Sequence, residues 1–378
     1  MSKFDDEIEL HTYDENIISH AFDMQYIDNF KNRGYPEIHL WSLDSQSRSI
    51  LIRLEKFPCI CHLELPRYID CVKIFWEEEE HSTIPIIVKW LKTALKDNAF
   101  TYWEYVEKKK LHYYTKEKTS FLLLHFPTKN AVTHCQRLIA KKYEIKGVGK
   151  PTLNLLETDI TDIRKLFTLR NAKFSQWTNI KCTNIDVNHA ERISTYGNGK
   201  YENLEYFGDY KSMTMLTEEK IKTSKLESFP RVVAIDGEMY SSNHRGFPKK
   251  FKPSDECYMI SFIYERIGNP ETRLKYCIVL GDCNEIENAD KIIIVNNEME
   301  VFNEFANVMN ELDPDVITGY NIFPFDIPYF NSRLGIKMCE WKPCSRLIGE
   351  IPHIFSTTWS SSAYGEQNIN VLMMSGRI

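Results

Sequence analysis

The sequence predicts an α/β protein with two units: an α+β unit over residues 1–228, and a unit over 229–378 in which helices flank a mixed sheet. Three observations predict this fold class. Two runs of alternating strand-like and helix-like segments are separated by a polar, weakly patterned stretch at 186–228. The composition, 43% hydrophobic and 26% charged, is that of globular proteins. A chain of 378 residues is long enough for more than one core.

The first unit is predicted from the order of its elements. Residues 36–66 alternate apolar stretches with polar turns and predict at least two strands. A helix is expected at 82–100, two strands within 101–126, and a capped helix at 128–143. This order recurs in ferredoxin-like and RNA-recognition folds. We therefore expect helices packed on an antiparallel sheet.

The second unit begins with RVVAIDGEMY at 231–240. Four consecutive apolar residues predict a buried strand over 231–236, followed by a basic loop and further strands. Asn297 and Glu300 have the spacing of a capping box at the start of a long helix. The segment 313–321 supplies another short strand, and 323–335 predicts a second helix.

Composition excludes several classes of protein. The net charge is −6, so a nucleic-acid surface must be local rather than general. The ten cysteines do not form the doubled CxxC pattern of a zinc site. The acidic start differs from a secretory signal, and no apolar run is long enough to cross a membrane. We expect a soluble, intracellular protein without a membrane partner.

Acidic residues are placed where strands are predicted to end. Asp236 and Glu238 point to the same side of a strand because side chains alternate. Asp326 follows Gly319 and a short apolar strand, near the start of a helix. Carboxylates gathered at one edge repel unless a cation lies between them, and oxygen ligands favour Mg²⁺ or Mn²⁺ over Zn²⁺. The alternative for each acid is ordinary: a solvated turn, or a common helix-start acid.

Two segments resemble a known family. AIDGE and DPDVITGYNIFPFDIPYF, ending at Phe330, resemble the first and second exonuclease motifs of B-family DNA polymerases, especially the delta-like branch. Residues 163–180 and 54–65 resemble upstream segments of the same polymerases. The resemblance implies an RNase H-like fold for the second unit. Family members usually carry an apolar residue at the position of Gly237, so we expect a looser strand end there.

The resemblance also implies two-metal hydrolysis of a mismatched 3′ end, with two Mg²⁺ or Mn²⁺ ions. Asp236 would bridge the metals, Glu238 would bind the first metal and orient the water, and Asp326 would hold the second metal. Asn321 and Phe325 would position the loop and the primer terminus.

A third family motif, with a tyrosine and a final metal-binding aspartate, is expected beyond VLMMSGRI at 371–378. On this interpretation the chain stops inside its exonuclease domain and leaves an exposed strand end at 373–378. The polymerase portion would then belong to the same or a separate chain, and this chain alone would be weakly active or inactive.

DNA must reach the acids although acids repel phosphate. Four basic residues lie in the loop after the first motif, with Phe247 and Phe251 interleaved for base stacking: Arg245, Lys249, Lys250 and Lys252, beside His244. The alternative is an ordinary solvated hairpin loop. A second basic and aromatic stretch at 108–118 is better explained as a surface hairpin, and Trp177 as a core residue.

These observations favour the N-terminal and proofreading part of a DNA polymerase of family B, acting in DNA replication on single-stranded 3′ ends and primer-template DNA. Two other functions stay open: a free-standing exonuclease of the same fold, and a non-catalytic split subunit that binds template. The Lys-, Asn- and Ile-rich character suggests a large DNA virus, whose polymerase would act in the host nucleus or at a cytoplasmic replication site.

Overall fold

The computed structural model describes residues 12–28, 36–74, 76, 83–110, 117–195, 203–243, 245–363 and 365–378. Up to residue 228 the strands are β1 (Glu15–Ile27), β2 (Glu37–Leu43), β3 (Ser49–Glu55), β4 (Cys59–Glu64), β5 (Tyr68–Ile69), β6 (Val72–Lys73), β7 (Tyr102–Lys109), β8 (Lys118–Phe126), β9 (Asn154–Leu156), β10 (Trp177–Asn184), β11 (Asn203–Gly208) and β12 (Thr214–Met215). The α-helices of this part are α1 (Thr83–Leu95), α2 (Lys129–Ile139), α3 (Asp162–Arg170) and α4 (Glu218–Thr223).

A four-stranded antiparallel sheet forms the predicted α+β core. Its order is β7-β8-β4-β9. Alternate residues of β4, such as Cys61 and Leu63, pack with Ile87 and Leu91 of α1 and with Cys135 of α2. The helices therefore lie on one face of the sheet, because strand side chains alternate between its two sides. This arrangement confirms the predicted order of strands and helices.

A six-stranded sheet, β1-β2-β3-β11-β10-β12, lies beside it and curls round so that β1 also pairs with β10. β11 comes from the polar stretch 186–228, pairs in parallel with β3 and is largely buried. This strand was not anticipated within the polar stretch; its Tyr206 and Phe207 side chains are buried. Trp177 is 6% exposed, as predicted for a core residue.

The second unit is built on a mixed five-stranded sheet with the order β16-β15-β14-β13-β17. Only the pairs β13–β17 and β15–β16 are parallel. Its elements are β13 (Arg231–Met239), β14 (Cys257–Arg266), β15 (Asn269–Leu280), β16 (Lys291–Val295), α5 (Glu298–Leu312), β17 (Val316–Thr318), α6 (Asp326–Ile336), β18 (His353–Ser361) and β19 (Gly365–Met373).

Helices α5 and α6 cover one face of this sheet. Val233 and Ile235 of β13 are buried in one cluster with Phe305 of α5 and Phe330 of α6. The predicted N-cap is present, since the Asn297 side chain accepts a hydrogen bond from the Glu300 N–H at 3.1 Å, whereas the Glu300 carboxylate accepts from the N–H of Asn296 at 2.8 Å rather than from that of Asn297. The order of elements through α6 matches the prediction. No helix in the described ranges is both long and apolar enough to cross a membrane.

The end of the chain is packed rather than exposed. Residues 374–377 are buried. The N–H of Ile378 donates to the carbonyl of Asp315 at 3.0 Å, and the N–H of Ile317 donates to the carbonyl of Ile378 at 2.7 Å. The expectation of an uncovered strand end at 373–378 is therefore wrong, because the backbone of β17 pairs with it. The β18–β19 hairpin was not anticipated.

Buried charges link the two larger sheets. Arg231, at the start of β13, contacts Asp313 at 2.9 Å and Asp315 at 3.1 Å. The Asp315 carboxylate also accepts from the Ser49 hydroxyl on β3 at 3.3 Å. Although burial opposes ionisation, nearby arginines that include Arg346 hold the pKa of Asp313 below its ordinary value. This charge network fixes the end of β13 opposite to the acids.

Candidate active site

Asp236 and Glu238 lie inside β13 rather than at its end. The strand continues to Met239 because β14 pairs with it throughout, whereas parallel pairing with β17 stops at Ala234 opposite Thr318. The predicted strand end at residue 236 is therefore wrong. Both acidic side chains are exposed. Beyond Ala234, the β17 side of the strand is open to a side chain from elsewhere.

Asp326, the first residue of α6, occupies that position. Its Oδ1 accepts a hydrogen bond from the Gly237 N–H at 3.1 Å, between the two acids of β13. The approach depends on Gly319, where an added Cβ would lie 2.5 Å from the Ile235 carbonyl oxygen. Asn321 then adopts a left-handed φ of 59° as the chain turns toward α6. The fold thus brings the three predicted acids together.

The Asp326 carboxyl is buried, and this burial raises its pKa to about 6. Hydrogen bonds from the N–H groups of Gly237 and of Asp326 itself lower the pKa. The negative charges of Asp236 and Glu238 raise it further. Burial is thus the main cause of the raised pKa, and a cation bound beside Asp326 would also relieve the effect of the two neighbouring negative charges.

The donor atoms suit a hard divalent cation, because Mg²⁺ and Mn²⁺ prefer oxygen ligands and the three side chains offer only carboxylates. Within the described ranges, however, no three acidic, histidine or cysteine side chains are grouped so as to hold one ion. The chemistry fits the predicted metals, and the assignment of Asp236, Glu238 and Asp326 as metal ligands stays a prediction.

A cleft of about 730 Å³ lies beside Asp326. One wall is part of the loop joining β13 to β14, residues 241–256, which we call the basic loop. The other wall is the start of α6 and the turn before it. The cleft is lined by Pro248, Lys249, Lys250, Phe251, Lys252, Pro253, Pro324, Phe325, Pro328 and Tyr329. Four of the residues predicted to contact DNA therefore line one cleft, which ends at the residue preceding Asp326.

The basic loop is held in shape by Asp255. This buried carboxylate accepts hydrogen bonds from the Ser242 N–H at 3.1 Å and from the Lys249 N–H at 2.9 Å. The hydroxyl of Tyr329, on α6, donates to the Asp255 carbonyl at 2.8 Å. These bonds pull the pKa of Asp255 below its ordinary value, with the Ser242 hydroxyl contributing most. The loop is thereby folded on itself and tied to α6.

Arg333 is the main anchor of the cleft, and sequence reasoning missed it. Its guanidinium donates to the carbonyls of Lys252 at 2.6 Å and Pro253 at 3.0 Å. It also donates to both carboxylate oxygens of Glu298, the first residue of α5, at 2.7 and 2.8 Å. The only signal was its position seven residues after Asp326, on the same face of the helix.

The remaining predicted DNA contacts lie elsewhere. Arg245 and Asn321 are exposed and do not line the cleft. His244 lies outside the described residues. Phe247, 85% exposed, stands clear of the cleft wall, whereas Phe251 forms part of it and lies under the Lys250 ammonium at 5.2 Å.

The second basic stretch belongs to the β7–β8 hairpin, as predicted, although residues 111–116 lie outside the described residues. Two of its lysines have partners. Lys108 lies 2.8 Å from the ring of His62, and Lys110 is ion-paired with Glu64. This hairpin is a surface feature remote in sequence from the acids, and it serves as a natural comparison for the basic loop.

Comparison with known proteins identifies relatives of the chain. Residues 154–377 match the family model described as "DNA polymerase family B, exonuclease domain". The chain is 26% identical over 362 residues to "DNA polymerase 120R" of Invertebrate iridescent virus 3, covering 90% of this chain and 30% of that protein. It is 36% identical over 132 residues to the "DNA polymerase delta catalytic subunit" of Dictyostelium discoideum, covering 35% of this chain and 12% of that protein.

The fold has a solved counterpart. The family B DNA polymerase from the archaeon Pyrobaculum calidifontis superposes with a TM-score of 0.58 and 17% identity, covering 96% of this chain and 36% of that one. At this identity the likeness establishes the fold, and it confirms the predicted α/β class. The chain spans about 30% of the length of the first viral relative and 29% of a second, DNA polymerase 037L of Invertebrate iridescent virus 6.

Proposed function

The chain belongs to the exonuclease domain family of the family B DNA polymerases, and on that premise we propose that it removes nucleotides from single-stranded 3′ ends during DNA replication. The unit over 229–378 would carry the reaction, and residues 1–228 would form the polymerase N-terminal domain. The rest of the polymerase would act in the same or a separate chain. The viral and delta relatives support a replicative role, and a large DNA virus is the proposed source.

The three acids are proposed to hold the metal ions. Asp236 would be shared between two Mg²⁺ or Mn²⁺ ions, Glu238 would belong to the first, and Asp326 to the second. Bound ions of this kind activate a water and stabilise the leaving oxygen of a phosphodiester. The raised pKa of Asp326 supports this assignment, since a cation would relieve the repulsion among the three groups.

The cleft is proposed to bind the DNA end. Lys249, Lys250 and Lys252 would neutralise phosphates, and Phe251 and Phe325 would stack on bases. Stacking of this kind requires unpaired bases, because the faces of bases in a duplex are already covered by their neighbours. A frayed or mismatched 3′ end would therefore be favoured over a paired one.

One observation carries the proposal: the lysine-lined cleft ends at Phe325, the residue directly before Asp326. A strand bound along the lysines would bring its terminal phosphate to the acids. The lysines would attract the strand along the cleft, whereas the carboxylates would repel the phosphate at its end. A divalent cation bound by the carboxylates would remove this repulsion.

The test uses a 5′-labelled single strand and the polymerase that we propose contains this chain. We expect stepwise shortening that requires Mg²⁺ or Mn²⁺. Replacing Asp236 and Glu238 together with alanine should abolish shortening while DNA binding stays equal or becomes tighter, because negative charge beside the phosphate is removed. Equal shortening by this variant would refute the assignment.

A metal titration of the 378-residue chain separates the ligand prediction from the activity. We expect calorimetry to show Mn²⁺ binding that is lost in the same double variant, because two of the three proposed oxygen ligands are removed. Unchanged Mn²⁺ binding by the double variant would refute the proposed ligand set.

The second candidate is a non-catalytic subunit that binds template. The absence of a grouped three-ligand site among the described residues favours it. It predicts binding of single-stranded DNA without metal-dependent shortening, so the same assay distinguishes the two functions. A free-standing exonuclease would instead shorten DNA at full rate as the 378-residue chain.

A further inference from the structure

Gly237 has no room for a side chain. A Cβ built on it would lie 2.6 Å from Cζ and 2.8 Å from Cε1 of Phe330, and 3.0 Å from Oδ1 of Asp326. Gly237 is not among the glycines with a positive φ, so its backbone conformation is open to any residue. The glycine is therefore required by the space that the Phe330 ring occupies. The looser strand end expected at this glycine stays a prediction: residue 237 pairs with β14 in register, and the pairing becomes irregular between Glu238 and Met239.

The Phe330 ring is not free to retreat. It is fully buried and packs against Phe302 and Phe305, with ring centroids 5.6 and 6.4 Å away. Both of those rings in turn contact Trp341. Protein cores are packed as densely as organic crystals, so an added methyl group in such a cluster strains side chains and shifts the backbone.

Phe330 and Asp326 lie one helical turn apart on α6 and reach the same residue of β13. The edge of the ring occupies the place that a Cβ of residue 237 would take, and the carboxylate accepts a hydrogen bond from the Gly237 N–H. The reach of the ring therefore limits how closely α6 approaches β13, and this spacing sets where the Asp326 carboxylate lies.

We propose that Gly237 and Phe330 are a matched pair of positioning residues that place the Asp326 carboxylate between Asp236 and Glu238. The inference rests on the proposed function, because the role of Asp326 in holding a cation is part of it. An added methyl group at residue 237 pushes α6 away from β13 and draws the carboxylate out of line with the other acids. A smaller side chain at residue 330 makes room for that methyl group.

The test compares Gly237→Ala, Phe330→Leu and the double variant in the 378-residue chain. Gly335→Ala is the matched control, since it adds the same methyl group to α6 at a position with nothing within 4 Å. For each variant, the midpoint of thermal unfolding is measured without metal and again with Mn²⁺.

We expect Gly237→Ala to lower the midpoint without metal and to lose most of the Mn²⁺-induced rise, because a carboxylate misplaced by about 1 Å loses on the order of 10²-fold in function. The double variant should recover most of both losses relative to Gly237→Ala. Gly335→Ala should keep the wild-type Mn²⁺ response and equal or exceed the wild-type midpoint, because alanine favours a helix over glycine.

The possible failures are distinguishable. If Gly237→Ala behaves as Gly335→Ala does, or if the losses in the double variant simply add, the pair does not exist. If the midpoints show rescue but Gly237→Ala keeps the full Mn²⁺ response of the wild type, the pair is only structural and the positioning role is overturned. If the wild-type chain itself shows no Mn²⁺ response, the proposed metal site fails and the positioning role fails with it, whereas rescue of the midpoints still reports the packing.

Discussion

Replacing Asp326 with asparagine should stabilise the metal-free protein at alkaline pH. Asparagine has nearly the same shape as aspartate, and its Oδ1 can still accept from the Gly237 N–H. What it removes is a buried negative charge beside two others. Since the pKa of Asp326 is raised to about 6, ionising this carboxyl costs the folded state free energy that the unfolded chain does not lose.

The size of the effect follows from that pKa. A rise from 3.8 to about 6 corresponds to about 3 kcal/mol at 1.36 kcal/mol per pH unit. Because Asp236 and Glu238 are exposed and screened by solvent, we take about half of this, roughly 1.5 kcal/mol. For a unit of this size, that free energy raises the midpoint of thermal unfolding by about 3–6 °C.

The sign depends on pH in a definite way. The pKa of Asp326 is higher in the folded state than in the unfolded chain. The stability that this carboxyl contributes in the wild type is therefore fully present below about pH 4 and is lost as the pH rises through about 6. The variant should therefore match the wild type near pH 4 and exceed it near pH 8. The assay is thermal unfolding without metal at both pH values, with urea unfolding to convert midpoints to free energies.

Two control variants accompany it. Asp326→Ala leaves the Gly237 N–H without its acceptor and should be less stable than Asp326→Asn at both pH values. Asp282→Asn, at an exposed acid outside the cleft, should change little. The reasoning is refuted if Asp326→Asn is no more stable than the wild type near pH 8, or if its advantage is the same at both pH values.

Three further predictions concern the cleft and its supports. Arg333→Met should lower the free energy of urea unfolding by about 3–5 kcal/mol, because it leaves the buried Glu298 with only the more distant Lys337 ammonium, at 3.6 Å, as a cation. A loss below about 1 kcal/mol would contradict the anchoring role. Changing the three lysines of Lys249–Lys252 to glutamine should reduce the slope of log binding constant against log salt concentration for single-stranded DNA by about 2. The same change in Lys108–Lys110 should leave this slope unchanged, and equal slopes in both variants would exclude the cleft as the binding site. Asp313→Asn keeps a residue type that tolerates the left-handed φ of 44° but removes a negative charge shared by buried arginines. The free energy of urea unfolding should therefore fall by about 3 kcal/mol or more. An unchanged value would mean that the network adds nothing to stability.

Local patterns predicted much of this fold. The capped start of α5 at Asn297 and the order of strands and helices from β13 through α6 were predicted from short-range periodicity, which reports on neighbours within a few residues. The gathering of Asp236, Glu238 and Asp326 was predicted from their places relative to strands and a helix. Their roles as metal ligands, and the division of the chain at residue 228, stay predictions.

What the sequence did not reveal depends on contacts between distant segments. β13 runs past its predicted end because β14 pairs with it as far as Met239. The role of Arg333 depends on carbonyls of the basic loop, and the need for glycine at residue 237 depends on a ring on α6. A carbonyl acceptor and a steric limit leave no trace in side-chain periodicity, so the sequence indicated neither the role of Arg333 nor the steric need for Gly237.

The buried charge network bears on how this protein can be dissected. A segment excised from residue 229 onward would begin two residues before Arg231 and would leave behind Ser49, whose hydroxyl bonds to both Arg231 and Asp315. The cut surface would then carry the buried charge network with one of its polar partners missing. This surface lies at the start of β13, opposite to the end that bears the acids. Transfer of this segment into another protein should therefore include β3, or supply a hydroxyl at the equivalent place.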